Sequence, residues 1–185
     1  MAKQANNKSK QPSIEVSKVM NIGGSDLNDL CDAAESAIEE GGGFGWLKPP
    51  PRQILENFWR GVLMVPERVV FIGRLDGIIV GSAQLVRPSR NNEAQSLSVT
   101  LTTNFVAPWA RGHGLARSLT ATVEEVARRD GFLVLNLDVR ATQEAAISLY
   151  ENAGYVRYAE HPHYARVDDG WIAGYFYYKD LQGAE

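Results

Sequence analysis

Eleven residues, VAPWARGHGLA from Val106 to Ala116, put an arginine, two glycines and an alanine where an apolar strand gives way to a helix. Such a turn can cradle a phosphate. Gly112 and Gly114 leave the first-turn amides uncovered, those amides have no acceptor within the helix, and the helix dipole favours an anion at that end. Arg111 and Arg117 add positive charge beside the same turn, with His113 between the glycines and Leu115 and Ala116 opening the helix. The chain has no GxxxxGK[ST] segment, which removes a P-loop. Arg117 stands where the dinucleotide fingerprint GxGxxG needs a glycine or another small residue, which removes a Rossmann turn.

The elements around this turn follow from hydrophobic period. Before it, Leu97, Val99, Leu101, Thr103 and Phe105 alternate with Ser98, Thr100, Thr102 and Asn104, the pattern of a strand with one apolar face. After it, Leu115, Leu119, Val123, Val126 and Ala127 recur at helical spacing from about Gly112, and Gly131 is placed to end the helix. FLVLNLDV from Phe132 is a short apolar strand. TQEAAISLYENAGYV from Thr142 is a helix closed by Gly154 and followed by another strand.

Arg111, Gly114 and Ala116 match the acetyl-CoA signature RxxGxA, and Leu149, Tyr150, Gly154 and Tyr155 match a second signature at the end of a later helix. On these two motifs the chain is identified as a member of the GNAT family of N-acetyltransferases. The resemblance implies an α/β (α+β) fold over Ser13 to Leu181, a mixed, mostly antiparallel sheet of about seven strands flanked by about four helices. It also implies acetyl-CoA as co-substrate, seated on Arg111, Gly112, His113, Gly114, Leu115, Ala116 and Arg117. A backbone amide near Phe105 and Val106 would stabilise the oxyanion, and Tyr150 would protonate the departing thiolate. A phenol with a pKa near 10 is protonated at neutral pH and suits that role; the bland alternative is a core tyrosine. Gln143 stands where many members carry an asparagine that contacts the pantetheine.

No clear base is found on the fourth strand, because Thr100, Thr102 and Asn104 cannot take a proton. Asp138 on the fifth strand is the nearest carboxylate expected to face the cleft, with a structural ion pair to Arg140 as its alternative. His161 and His163 titrate in the right range and could relay a proton through water. More narrowly, LDVR, LYENAGY, PHYARVDDG and FYYKDL resemble the tabtoxin-resistance branch of acetyltransferases, which favours a small acceptor over a protein tail. The loops at Gly41 to Pro51 and at His161 to Gly170 would border that acceptor, with Trp46, Tyr164 and Trp171 as candidate walls. The expected activity is transfer of an acetyl group to a primary amine, or else a hydroxyl, of a small molecule by direct attack. The alternative is a non-catalytic acyl-CoA-binding regulatory module. The family resemblance also admits a homodimer, for which the aromatic-rich last strand could supply an interface.

Bulk properties bound the rest. The 185 residues, 44% hydrophobic, suffice for one good core and suggest a single domain over 13–185, with 1–12 as a disordered tail. A net charge of −3 gives no basic field for nucleic acid. The first residues lack the apolar stretch of a secretion signal or anchor, no window is long enough to span a membrane, and the cytoplasm is the expected compartment. The lone Cys31 shares an apolar helical stripe with Leu27, Leu30, Ala34 and Ile38, so it reads as core packing, and no metal site is expected. SIEVSKVMNI reads as a first strand, Ser25 as the cap of a helix to about Glu40, and Arg52 to Met64 as a second helix. Asp76 and Gly77 sit between two apolar runs, which reads as an antiparallel hairpin.

Overall fold

Asp76 and Gly77 take φ values of 51° and 89°, the two positive angles that a type I′ turn requires. The turn joins β2 (Arg68–Leu75) to β3 (Ile78–Val86) in an antiparallel hairpin. A computed structural model of the protein describes residues 11–42, 44–168 and 170–182. The other strands are β1 (Ile14–Val19), β4 (Ser98–Val106), β5 (Val134–Arg140), β6 (Val156–Val167) and β7 (Gly170–Asp180). The helices are α1 (Ser25–Glu39), α2 (Arg52–Met64), α3 (Leu115–Arg129) and α4 (Glu144–Asn152). The strands form a single sheet in the order β1-β2-β3-β4-β5-β7-β6, antiparallel except for β4 and β5.

Helices cover both faces. Asn104 on β4 reaches Thr120 of α3, while Phe105, the next residue, stacks on Phe44 and lies 6.2 Å from the Trp59 ring of α2. Consecutive strand residues point to opposite faces, so α2, with α1 tied to it through Arg52 and Asp32, lies on one side and α3 on the other. Tyr150 bonds Asn104 and therefore brings α4 to the α3 side. Leu30, Ile38, Leu55, Trp59 and Phe71 are buried in the core, as are Leu115, Leu119 and Tyr177. Cys31 is buried, and burial pushes its thiol up to about 11, as its core position implies.

Several local expectations are corrected. Ser25 is the first residue of α1 rather than its cap; Gly24 holds the cap position, with no side-chain bond. The third helix begins at Leu115, not Gly112, because Pro108–Ala110 makes a tight 3-10 turn and Gly114 takes the left-handed cap conformation. Leu97 precedes β4 and is exposed. The segment from His161 is not a loop: it continues β6 to Val167, paired with β7. Its pairing is irregular between His161 and Ala165, where Pro162 has no N–H to donate; β6 tolerates this because it is the sheet's edge. Of the expected tail, residues 1–10 lie outside the described residues, and Gln11 and Pro12 belong to no helix or strand. No helix among the described residues is long and apolar enough to cross a membrane.

Asp26 in the first turn of α1 receives both Arg74 guanidinium nitrogens, at 3.1 and 2.6 Å. The bond from Arg74 holds its carboxyl below the usual 3.8. A lowered folded-state pKa stabilises above the unfolded value and is lost as pH falls through the folded one. Asp26→Asn should therefore lower Tm at neutral pH by up to about 4 °C, since a partly exposed pair contributes at most about 1 kcal/mol. The gap between the two proteins should close on acidification below pH 3.8; a gap that widens in a thermal melt there would contradict the pairing.

Candidate active site

The site begins with a parting of strands. β4 and β5 pair only at Ser98 to Thr100 against Val134 to Asn136, and beyond Thr100 the two diverge. On the other side of β4 the ladder with β3 is interrupted between Ser82 and Gln84, so that Thr103 and Asn104 together face Ala83. This is a β-bulge, and Thr103 carries it with φ of 50°. A left-handed β-branched residue costs about 1–3 kcal/mol and persists only where its surroundings impose it. Past the bulge, the Ala107 amide donates to Val80 of β3 at 2.7 Å, whereas the Val106 carbonyl accepts from Arg111 Nε at 3.3 Å. Main-chain groups alternate sides along a strand, so the Val106 N–H faces the parting.

A cavity of about 460 Å³ fills this parting. Phe105 and Val106 line it from β4, Arg111, Gly112 and Gly114 from the turn, and Leu115, Ala116 and Arg117 continue the wall. Gly112 and Gly114 have φ of 86° and 82°, and a Cβ on either would meet no atom within 4 Å, so the turn is open toward the cavity. The first backbone bond of α3 runs from the Ser118 amide to the Gly114 carbonyl, which leaves the preceding amides for an outside acceptor. Arg111 donates to Glu40 at 2.7 Å across the mouth. His113 lies outside this lining and turns Nδ1 toward the Ala110 carbonyl.

A second cavity, about 740 Å³, adjoins the first. Asp138 opens into it, exposed, and accepts a hydrogen bond from the Tyr164 hydroxyl. The Tyr164 ring lies directly over Gly174, where an added Cβ would run into the ring, so glycine leaves the room that sends the hydroxyl to Asp138. Burial and the Asp138 carboxylate push that phenol up. The expected Asp138–Arg140 pair is not formed; Arg140 donates to the Gly41 carbonyl at 3.2 Å, and Gln143 Nε2 reaches the same carbonyl at 3.1 Å. The end of α1 is thereby tied to both β5 and α4.

Gly42, Asn104, Gln143, Ala146 and Tyr150 line both cavities, and at this junction Tyr150 is buried. Asn104 Nδ2 donates to the Tyr150 hydroxyl oxygen at 3.2 Å and to Thr120 Oγ1 at 3.1 Å. A phenol oxygen that accepts from an amide keeps its own hydrogen for another acceptor. Burial pushes Tyr150 up to about 12; the Asn104 bond opposes this and Asp138 adds to it.

Of the candidate aromatic walls, Tyr164 lines the second cavity. Trp46 instead packs behind Phe44 and Phe58, at 5.6 and 5.0 Å between rings, and Trp171 is exposed against His163. Phe44, Leu47 and Phe58 take the apolar wall in their place. His161 and His163 lie on the exposed stretch of β6, outside the lining of both cavities. Sequence reasoning does not place Asn104 at this junction, because an amide cannot act as a base; its polar position on the wet face of β4 is the available signal.

The sequence profile of the Acetyltransferase (GNAT) family matches residues 30–155, and the chain belongs to that family. It is an acetyl-CoA-dependent N-acetyltransferase. Over 130 residues, 70% of this chain and 77% of the relative, it is 64% identical to a protein described as an uncharacterized N-acetyltransferase in the hisH-hisA intergenic region of Azospirillum brasilense. The fold is shared with an N-acetyltransferase from Staphylococcus aureus, at a TM-score of 0.77 and 20% identity over 92% of this chain and 99% of that one. It is shared too with an acetyltransferase candidate from Salmonella typhimurium solved with its cofactor acetyl-CoA, at a TM-score of 0.69 and 18% identity over 92% and 95%.

Proposed function

We propose that the chain moves the acetyl group of acetyl-CoA to the primary amine of a small molecule by direct attack, with the donor in the first cavity and the acceptor in the second. The observation that carries this reading is that the two cavities meet at Tyr150, Asn104 and Gln143. The residues present fit the donor. The open glycine turn with Arg111 and Arg117 suits a pyrophosphate, and Leu115, Ala116, Ala146 and Leu149 suit a pantetheine arm. Gln143 supplies an amide beside that arm. Acetyl-CoA brings the activated acyl group; the chain does the rest.

The Val106 N–H, facing the parting, is the donor for the charge that develops on the carbonyl oxygen. Phe105, beside it, closes the floor. Asp138 takes the proton released as the amine nitrogen bonds to the acetyl carbon. Tyr150 delivers its proton to the sulfur as the carbon–sulfur bond breaks, its hydroxyl aimed by Asn104. Tyr164, donating to Asp138, orients it.

Acetyl-CoA at about a hundred times its Kd should stabilise the fold by about 2.7 kcal/mol, a rise in Tm of roughly 5–10 °C for a chain of this length. Release of free CoA should then depend on added amine. Absence of any Tm shift at millimolar acetyl-CoA would overturn this reading.

A further inference from the structure

The second cavity carries an excess of positive charge that no carboxylate answers with an ion pair among the described residues. Three guanidinium groups line it, Arg68 from β2, Arg140 from β5 and Arg166 from β6, against the single carboxylate of Asp138, which already accepts from Tyr164. Several other arginines of this chain, among them Arg52, Arg74 and Arg87, pair with carboxylates. None of the three cavity arginines does so among the described residues.

Two of them are nevertheless held in place. Arg68 Nη1 donates to Gln84 Oε1 at 2.6 Å, and Arg140 Nη1 donates to the Gly41 carbonyl at 3.2 Å. Both acceptors are neutral, so each guanidinium is oriented while its charge is left whole. Gln84 is fully buried, and its own Nε2 has no partner. A buried donor left unmade costs about 1–3 kcal/mol, and the fold carries that cost to hold Arg68. A half-buried cation without a counter-charge is unfavourable on its own and becomes favourable when an anion enters.

Spacing narrows the anion further. Asp138 and Arg140 are two apart on β5, on the same face and about 6.6 Å from one another along the strand. A base at one and a cation at the other suit an amine and a carboxylate borne on one carbon. Phe44, Leu47 and Phe58 face the same space and suit an apolar substituent.

We propose that the acceptor is an amine that also carries a carboxylate, of the α-amino acid class, with the carboxylate held by Arg68, Arg140 and Arg166. This rests on the reading of the second cavity as the acceptor site. The amine nitrogen bonds to the acetyl carbon, the carbon–sulfur bond breaks, the ammonium proton leaves through Asp138 and the sulfur takes the proton of Tyr150. The carboxylate is unchanged and serves only to place the amine.

The test is a matched panel in a CoA-release assay: apolar α-amino acids, their carboxamides, and the amines left when the carboxylate is removed. The carboxamides stand in for the N-terminal residue of a peptide, the other source of an α-amine. The free amino acids should exceed both analogues in kcat/KM by at least about tenfold, the size expected when a site built around a polar group meets a ligand lacking it. In Arg68→Gln/Arg166→Gln the ratio should fall toward one through a rise in KM for the amino acid, and Arg166→Gln alone, at an exposed position, should move it in the same direction. Equal or better turnover of carboxamides or simple amines, or a ratio unmoved in these variants, would overturn the inference and leave the transferase reading intact. If no panel member is turned over, calorimetry with the acetyl-CoA complex decides: saturable binding of the amino acids but not of the carboxamides supports the anion site, and no binding of any carboxylate overturns it. A protein that acetyl-CoA does not stabilise would instead overturn the proposed function, and this inference with it.

Discussion

Replacing Tyr150 by phenylalanine should lower kcat by about a hundredfold while leaving the KM for acetyl-CoA within about threefold, the loss expected when a positioned acid is removed from a transfer step. The ring is buried against Tyr155 at 5.6 Å between centroids, so phenylalanine keeps the packing and removes one oxygen. Asn104 keeps its bond to Thr120 in the variant, so the bulge beneath it has no reason to move. Burial raises the Tyr150 phenol to about 12. A raised pKa means the proton is fully in place below the ordinary value of about 10 and is lost only as pH climbs toward the raised one. Variant and wild type should therefore show the same pH profile of kcat up to about pH 10, displaced by a constant factor. Unchanged kcat in the variant would remove Tyr150 from the chemistry, and a large rise in the KM for acetyl-CoA would make it a binding group.

A large stability loss from a single methyl group is expected at Gly81. A Cβ there would lie 2.5 Å from the Phe105 carbonyl oxygen and 3.3 Å from the Val106 Cα. The clash is with main chain, which has no rotamer to escape into, and the two strands around it are fixed by pairs on either side. Gly81→Ala should cost about 1–3 kcal/mol as overpacking, a fall in Tm of roughly 2–12 °C for a chain of this length. The strand that yields is the one that presents the Val106 N–H, so turnover should fall beyond what the fraction folded explains. A variant with wild-type Tm would show that β3 and β4 are not as close as described.

What the residues disclosed before the structure depended on whether side-chain type and backbone demand coincide. At Asp76–Gly77 and at Gly112 and Gly114 the chain needs positive φ and uses residues that adopt it readily, so both turns were readable. At Thr103 the same demand is met by a threonine, the kind of residue that normally argues against it, and the bulge that reorganises the site left no trace in the sequence. The stretch from His161 to Val167 reads as a loop for the opposite reason. Its histidines and proline are turn-like in type, but an edge strand exposed on both sides needs neither alternation nor a full set of donors. Tyr150 is legible through a motif and Tyr164 as a candidate wall, whereas Asn104 and Arg68 join the cavities only because the sheet order brings β2 and β4 to one opening.

The short seam between β4 and β5 sets stability and function against each other. Each further ladder bond that the two strands could form past Thr100 would add about 0.5–1.5 kcal/mol, and selection for a sturdier sheet would favour closing it. Closing it would consume the Val106 N–H and expel whatever occupies the parting. Sequence variants chosen only for heat resistance should accordingly gather on the outer strands and spare this seam, because here a weaker sheet is the condition of having an active one.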